Sequence, residues 1–411
     1  MVARSLFLAI LLSAFVSTLF AQEIPDSCGT RDWFQLRARA DHGEVSLLCK
    51  GVADAAFERP SAATRELQAV IRREPHSADS FDAHGALIDM YSREGRYRKA
   101  LEQVDLGLAE KPDTEDLKAI RPMFAALAVD PDQTVAKRRP GVVHSEIIGG
   151  NLFAPVTVNG VSGTYVLDSG GNISMLCESE AKRLGLRLRE TTTTLSAFSG
   201  SWAVRVAVAP DLWIGGVHLK HVAFAVAPDT NLPFVDWPAG HKGILGIPVL
   251  LALQSLRVEK DNRIVIGGNP ASKAQTFSLA FNGATPLVQV LLDGKALSFV
   301  FDTGAAHTYL YKPFADAFPE RMKEGKSEEE TLRGVSGSSN QESLTLPSVT
   351  FPFAQGVELA PATVLMTTPA DASRWAAGNL GFNVLVKALP LTIDFRTMQL
   401  SFDRQRSGTA P

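Results

Sequence analysis

One stretch of this chain occurs twice. Residues 156–176 (VTVNGVSGTYVLDSGGNISML) align without a gap with residues 290–310 (VLLDGKALSFVFDTGAAHTYL), at an offset of 134 residues. Two further pairs of segments repeat in the same order, namely 243–250 with 378–385 and 255–268 with 390–403. Three repeats in one order predict two units of the same fold.

The repeated stretch has the pattern of a β-hairpin. In each copy a strand enters a turn, at Asn159-Gly160 or at Asp293-Gly294, and a second strand returns and ends at an aspartate. Asn-Gly and Asp-Gly are typical of two-residue hairpin turns. Short runs rich in Val, Ile, Phe and Thr continue through residues 142–403 and predict a mainly β structure there.

The two aspartates are Asp168 and Asp302, and each follows an apolar strand. A single carboxylate at the end of a buried strand is costly because it loses its hydration. A chain that does this at two equivalent positions is expected to bring the two acids together, so that they share one proton.

The repeated pattern of apolar residues, Asp, Thr or Ser, and Gly resembles the two lobes of an aspartic peptidase over about residues 142–403. The short lobes are more similar to a retropepsin-type dimer fused into one chain than to pepsin. The resemblance implies a mainly β bilobal domain of two homologous lobes. The implied division is lobe 1 at 142–268, an inter-lobe connection at 269–283, lobe 2 at 284–403 and a tail at 404–411.

The resemblance also implies an endopeptidase that needs no metal or cofactor. A water between Asp168 and Asp302 would be activated by the ionised member of the pair, while the protonated member polarises the peptide carbonyl. Ser169 and Thr303 resemble the paired hydroxyls that brace the two catalytic loops. Gly170 and Gly304 permit the tight turns that let backbone N–H groups face the acids.

Further parts of the pattern support or depart from this family. Leu245-Gly246 and Leu380-Gly381 resemble the element that packs beneath each catalytic loop. Two departures bear on activity and not on fold. Gly171 stands where the family has Ala or Ser, and Asn379 stands where it has an apolar residue.

Peptides in this family bind in an extended conformation under a β-hairpin flap. Residues 195–204 and 332–341 are the two candidates, each with Ser-Gly at its tip. The candidate flap and substrate-binding residues are Phe198, Ser199, Gly200, Val335, Ser336 and Gly337.

The chain before the β region has a different pattern. Apolar residues at three-to-four spacing predict a helical domain over residues 61–129. Its stretch 82–113 resembles a tetratricopeptide repeat, which implies either a protein partner or a spacer role. An N-terminal segment at 22–60 precedes it, and the Pro- and Lys/Arg-containing residues 130–141 are interpreted as a linker or a processing site.

The first 21 residues combine Arg4, an apolar run and a small residue at Ala21, which predicts an export signal peptide. Its retention as a membrane anchor is the alternative. Cys28 and Cys49 can pair in an oxidising compartment, while Cys177 is interpreted as a small buried residue. By resemblance, the predicted location is periplasmic or secreted.

Composition and missing motifs exclude other classes. A net charge of -3 offers no basic surface for nucleic acid, and no H-E-x-x-H or G-x-S-x-G sequence occurs. The expected partner is a peptide or protein substrate. Two alternatives stay open: a non-catalytic peptide-binding protein on the same fold, and a propeptide role for residues 22–140.

Overall fold

The computed structural model of this 411-residue chain describes residues 24–197, 200–334, 337–366 and 375–404. The predicted signal peptide at residues 1–21 lies outside them. None of the described helices is long and apolar enough to span a membrane.

An all-α region comes first. Its helices are α1 (Trp33–Asp41), α2 (Leu47–Ala56), α3 (Pro60–Arg73), α4 (Ala78–Arg93), α5 (Tyr97–Glu110) and α6 (Glu115–Leu127). Asp32 caps α1 by accepting a hydrogen bond from the Phe34 N–H at 2.8 Å. A disulfide joins Cys28, ahead of α1, to Cys49 in α2.

Lobe 1 follows the helices. Its strands are β1 (Thr134–Arg138), β2 (Gly141–His144), β3 (Glu146–Ile148), β4 (Asn151–Val158), β5 (Val161–Leu167), β6 (Ser174–Cys177), β7 (Arg189–Ala197), β8 (Gly200–Ile214), β9 (Val217–Ala227), β10 (Gly243–Leu245), β11 (Ser255–Val258) and β12 (Arg263–Ile266). Two short helices lie among them, α7 (Glu178–Arg183) and α8 (Ile247–Leu253).

Lobe 2 repeats most of this order. Its strands are β13 (Gln275–Asn282), β14 (Thr285–Leu292), β15 (Lys295–Phe301), β16 (Tyr309–Leu310), β17 (Lys326–Gly334), β18 (Gly337–Leu346), β19 (Val349–Phe351), β20 (Val357–Leu359), β21 (Ala362–Leu365), β22 (Gly378–Leu380), β23 (Leu391–Asp394) and β24 (Gln399–Phe402). The helices are α9 (Lys312–Ala317), α10 (Pro319–Met322) and α11 (Phe382–Leu385).

Each predicted hairpin is present. In lobe 1, β4 and β5 pair up to Val158 opposite Val161, and the two-residue turn has φ of 50° at Asn159 and 78° at Gly160. In lobe 2, Asp293 and Gly294 have φ of 46° and 78°. Positive φ at both central residues is the type I′ geometry, which matches the twist of the two strands and explains the Asn-Gly and Asp-Gly sequences.

The two lobes share one pairing scheme around the aspartates. β10 lies parallel to β5 and antiparallel to β6 in lobe 1. β22 lies parallel to β15 and antiparallel to β16 in lobe 2. Since β5 and β15 lead into Asp168 and Asp302, each acid leaves its sheet at the same point of the same architecture.

The lobes are joined by a six-strand antiparallel segment in the order β2-β12-β11-β23-β24-β13. Its two halves are equivalent under the repeat, because β11 and β12 correspond to β23 and β24. At the centre Ser255–Val258 pairs with Leu391–Asp394. The same sheet therefore belongs to both lobes, which fixes their relative position.

The helical region packs on the β structure at both lobes. On the lobe 2 side, Trp33 Nε1 donates to Asn282 Oδ1 at 3.2 Å and buried Arg93 Nη1 donates to the Gly283 carbonyl at 3.0 Å. On the lobe 1 side, the buried Thr193 hydroxyl of β7 donates to the Ala119 carbonyl of α6 at 2.7 Å. The same oxygen accepts a hydrogen bond from the Met123 N–H at 3.1 Å.

Three segments contain more structure than the sequence analysis predicted. The segment 22–60 holds α1 and α2, and the connection 269–283 holds β13. The segment 130–141, interpreted as a linker, contains β1, which pairs with β9. All five residues of β1 are exposed, so this edge strand lacks the apolar alternation that would have marked it in the sequence.

Replacing Thr193 by Val should weaken the contact between α6 and the β7–β8 hairpin. Val has the shape of Thr but leaves the Met123 N–H and the Ala119 carbonyl without this buried partner, which costs about 1–3 kcal/mol. The free energy of unfolding in urea measures the loss. Exposed Thr192, replaced in the same way, is the control. Equal stability of the two variants would contradict the contact.

Candidate active site

The two aspartates are held by equivalent backbone contacts. Asp168 donates its N–H to the Leu245 carbonyl at 3.0 Å, and Asp302 donates its N–H to the Leu380 carbonyl at 3.1 Å. Both side chains are 0% exposed. The Leu-Gly elements predicted to support the loops are therefore where the sequence analysis placed them.

Each aspartate lies against the loop that carries the other aspartate in the opposite lobe. A Cβ atom added to Gly304 would lie 2.2 Å from Asp168 Oδ1, and one added to Gly170 would lie 2.6 Å from Asp302 Oδ1. Real Cβ atoms do not approach other atoms so closely, so both positions need glycine for a steric reason. The two loops consequently bring their carboxyl groups close together, so that the charge of Asp302 acts on Asp168.

Two hydroxyls cross between the loops. The Ser169 N–H donates to Thr303 Oγ1 at 3.0 Å, and the Thr303 N–H donates to Ser169 Oγ at 3.0 Å. Ser169 Oγ in turn donates to the Phe301 carbonyl at 2.8 Å, and Thr303 Oγ1 donates to the Leu167 carbonyl at 2.7 Å. This reciprocal set satisfies every donor involved and locks the loops together at the lobe interface.

Donors around the two carboxylates are unequal. Asp168 Oδ1 accepts the Gly170 N–H at 2.8 Å, while its Oδ2 has no hydrogen-bond partner in the described part of the chain. Asp302 Oδ1 accepts the N–H groups of Gly304 and Ala305, each at 3.0 Å. Asp302 Oδ2 accepts a third hydrogen bond, from Asn379 Nδ2 at 3.0 Å.

The electrostatics follow from this geometry. Burial raises the pKa of Asp168 well above its ordinary value, and the charge of Asp302 raises it further, against the opposing N–H groups of Gly170 and Gly171. Burial also raises the pKa of Asp302, but hydrogen bonds from Asn379, then Gly304 and Ala305, and finally Asp168 oppose the rise. The pair therefore favours a state with one proton and one charge.

A second pair of hydroxyls supports the loops, and the sequence analysis missed it. The Gly246 N–H donates to Ser174 Oγ at 3.1 Å, and the Gly381 N–H donates to Thr308 Oγ1 at 2.9 Å. Ser174 and Thr308 are separated by the repeat offset of 134 residues. A search for hydroxyl residues at that offset would have found them.

Gly171 is accommodated without strain. Its N–H donates to the Asp168 carbonyl at 3.3 Å, and its own carbonyl accepts the Ile247 N–H at 2.8 Å. An added Cβ would lie 3.2 Å from Asp168 Oδ2. The missing side chain thus leaves space beside the oxygen of Asp168 that has no partner among the described residues.

The flap residues are only partly described. Strands β7 and β8 form one hairpin and β17 and β18 form the other. Gly200 and Gly337 begin the returning strands, opposite Ala197 and Gly334. The other four candidates lie outside the described residues: Phe198, Ser199, Val335 and Ser336.

The arrangement can perform general acid–base chemistry. A neutral carboxylic acid beside an ionised carboxylate supplies both a proton donor and a proton acceptor at one place. Both groups lie in a site from which water is largely excluded, where charges act strongly. In the described part of the chain no cluster of three or more His, Cys, Asp or Glu residues is arranged to hold a metal.

Comparisons with known proteins agree with this geometry. Residues 154–249, in lobe 1, match the family model described as aspartyl protease. No curated protein sequence matches the chain. Lobe 1 is thus similar to an aspartyl protease, and the internal repeat extends the same sequence pattern to lobe 2.

Two solved structures are similar to parts of the chain. One is a retropepsin-like aspartic protease from Rickettsia conorii, with 20% identity, a TM-score of 0.25, and coverage of 32% of this chain and 94% of that chain. The other is an aspartic proteinase from Irpex lacteus, with 13% identity, a TM-score of 0.42, and coverage of 66% of this chain and 99% of that chain.

The mainly β, two-lobed part of the chain resembles the fold of the aspartic proteases, and an all-α region precedes it. The family match supports a peptidase, a hydrolase whose substrate is a peptide or protein.

Replacing Asp168 by Asn should raise the melting temperature at pH 8 and leave it nearly unchanged at pH 4. A carboxyl group with a raised pKa contributes stability that is fully present below its ordinary pKa and is lost as the pH rises through its folded-state pKa. Asn removes that loss, and the gain should be a few degrees, since about 1 kcal/mol shifts Tm by about 2–4 °C in domains of this size.

Thermal unfolding at the two pH values measures the effect. Asp113→Asn is the control, because the Asp113 side chain is fully exposed and its replacement should change neither value. An equal gain at pH 4 and pH 8 would mean that Asp168 is not a raised-pKa group.

Proposed function

We propose that this protein is an exported aspartic endopeptidase that hydrolyses peptide bonds with a water activated between Asp168 and Asp302. The observation that carries the proposal is the contact of two fully buried carboxyl groups from different lobes, braced by crossed hydroxyl hydrogen bonds. A groove that only bound peptides would have no need for two desolvated acids, whose burial is costly.

The proposed chemistry uses the pair as one unit. The ionised member takes a proton from the water, and the protonated member donates a hydrogen bond to the peptide carbonyl. The water oxygen attacks the carbonyl carbon, and the tetrahedral intermediate collapses when the leaving nitrogen receives a proton. One proton remains on the pair, which is thereby returned to its starting state.

Substrate is proposed to bind as an extended strand beneath the hairpins β7–β8 and β17–β18. Main-chain hydrogen bonds of an added strand tolerate many sequences, while pockets for alternate side chains supply preference. Phe198, Ser199, Gly200, Val335, Ser336 and Gly337 are the proposed contacts at the two tips. One hairpin from each lobe supports binding on both sides of the dyad, and hence cleavage within a chain.

Replacing Asp168 or Asp302 by Asn should abolish cleavage, because each change removes either the base or the acid. Groups that act as a unit lose activity non-additively, so both single variants should be as inactive as the double variant. Cleavage of a mixed peptide library from pH 3 to 8 measures this. Asp261→Asn, at a half-exposed ion pair with Arg263, is the control that should stay active.

Dilution of the wild-type protein tests the single-chain dyad. Specific activity should be independent of protein concentration, because both acids belong to one chain. Cleavage retained by Asp168→Asn, with activity lost on dilution, would mean that two copies of lobe 2 pair to form the site. No cleavage of any peptide by the wild type would favour the non-catalytic peptide-binding alternative.

Export is the second part of the proposal. It is supported by the apolar run after Arg4 and by the Cys28–Cys49 disulfide, a bond that persists mainly in oxidising compartments. The helical region is proposed to stay attached after export, since buried contacts at Trp33, Arg93 and Thr193 tie it to both lobes. Recruitment of a protein partner by these helices stays a prediction.

Cell fractionation and N-terminal sequencing test the location. The mature chain should be found outside the cytoplasm, periplasmic or secreted, and begin near residue 22. A chain that starts at Met1 in the cytoplasm would contradict export, and one that starts at Met1 in the membrane fraction would indicate an uncleaved anchor. A chain that starts near residue 140 would mean that the helices are a propeptide.

A further inference from the structure

Asn379 is a buried polar residue at a position where the equivalent residue of lobe 1 is apolar. It occupies the middle of β22, pairs with Val300, and is 0% exposed. The equivalent position in lobe 1 is Ile244, which occupies the middle of β10, pairs with Val166, and is also 0% exposed. A buried amide therefore stands where the repeat otherwise has an apolar side chain.

The amide of Asn379 is directed at one carboxyl group. Its Nδ2 donates to Asp302 Oδ2 at 3.0 Å, in addition to the two backbone N–H groups on Oδ1. Ile244 cannot donate a hydrogen bond, and Asp168 Oδ2 has no partner among the described residues. A hydrogen bond to a charged acceptor is stronger than one to a neutral acceptor, so this donor stabilises the ionised form of Asp302.

We propose that Asn379 is a positioning residue that places the negative charge of the pair on Asp302 and leaves the shared proton on Asp168. The position of the charge does not depend on the proposed peptidase function, but the roles of the two acids in the reaction rest on it. In that reaction Asp302 would accept the proton of the attacking water, and Asp168 would donate to the substrate carbonyl.

Other groups near the pair do not oppose this assignment. The backbone N–H groups of Gly170 and Gly171 lower the pKa of Asp168 just as those of Gly304 and Ala305 lower the pKa of Asp302, so the two backbone sets offset each other. Burial raises the pKa of Tyr311, and the charge of Asp302 raises it further. The phenol of Tyr311 therefore stays neutral. Burial lowers the pKa of His307, and the charge of Glu330 opposes this shift.

Replacing Asn379 by Ile, the residue of the equivalent position, should move only one limb of the pH profile. The first ionisation of the pair creates the charge on Asp302, so loss of the donor should move the acidic limb of kcat/KM to higher pH by about one unit, the effect of one hydrogen bond to a charged group. The second ionisation removes the proton of Asp168 while Asp302 is already charged. The basic limb should therefore stay in place.

The matched variant is Ile244→Asn, which offers a donor to Asp168 instead. It should move the basic limb to lower pH and leave the acidic limb in place. Asn379→Thr keeps a hydroxyl donor on a β-branched side chain and should retain the wild-type acidic limb at least in part. A structural role for Asn379 alone would change stability in Asn379→Ile without moving either limb.

Carboxyl titration by NMR, with ¹³C-labelled aspartate, gives a readout that needs no activity. The resonances are assigned by their absence in Asp168→Asn and Asp302→Asn. The Asp302 resonance should titrate at lower pH than the Asp168 resonance. The difference between the two titration midpoints should become smaller in Asn379→Ile. If that variant does not fold, the same decrease is expected in Ile244→Asn. This result without any peptide cleavage would overturn the proposed function and keep the charge assignment.

Two results would overturn the inference while leaving the peptidase proposal intact. An active Asn379→Ile variant whose two limbs both stay in place would show that the amide does not stabilise the charge. The second result is a shift of the basic limb in Asn379→Ile together with an Asp168 resonance that titrates at lower pH than the Asp302 resonance in the wild type. This would show that Asp302 carries the proton.

Discussion

The close approach of two fully buried carboxyl groups is the constraint on which the rest of the two-lobed β structure depends. Asp168 and Asp302 are each 0% exposed and lie close enough for the charge of one to act on the other, so two full charges there would repel strongly. The site can exist only with a retained proton and with donors fixed around the remaining charge. Loop geometry, glycine positions and crossed hydroxyls all meet that requirement.

The requirement reaches beyond the two loops. Carboxyl groups from separate lobes stay close only if the lobes are held together, and the sheet shared through Ser255–Val258 and Leu391–Asp394 joins the two lobes. The helical region adds a second connection, since α6 contacts Thr193 in lobe 1 while Trp33 and Arg93 reach the end of β13. Helices and lobes therefore form one packed body at the contacts described.

Much of the two-lobed β structure could be predicted from the sequence because duplication is a strong signal. The offset of 134 residues located both hairpin turns, and the resemblance identified the acids and the Ser169–Thr303 pair. The hydrogen bond from Asn379 could not be predicted. A departure from an apolar pattern shows that something differs, but which atom the amide meets depends on packing between β22 and the loop after β15.

Contacts between the helical region and the lobes were also beyond the sequence. Thr193 lies in an irregular part of β7, where the register shifts between Glu190 and Thr194, and its hydroxyl bridges Ala119 and Met123 beside Pro122. Pro122 lacks an N–H, so the ladder of helix hydrogen bonds is interrupted there and neighbouring backbone groups can meet an outside partner. No local sequence pattern in residues 189–197 predicts the contact of Thr193 with α6.

A pair of acids that shares one proton is necessarily unequal at any instant, and the chain can make that inequality permanent only if its two halves differ. In a dimer of identical chains both loops would have the same donors, and the sequence could not decide which acid carries the charge. Here the two halves belong to one chain and differ in sequence. Lobe 1 has Ile244 and Gly171 at the positions where lobe 2 has Asn379 and Ala305. The difference at Asn379 favours charge on Asp302, because its amide donates to that carboxylate while Asp168 Oδ2 has no donor among the described residues. Two lobes in one chain can thus differ in a way that two identical chains cannot. Asn379 departs from the family pattern, and this departure fits a pair in which one aspartate is always the acid and the other always the base.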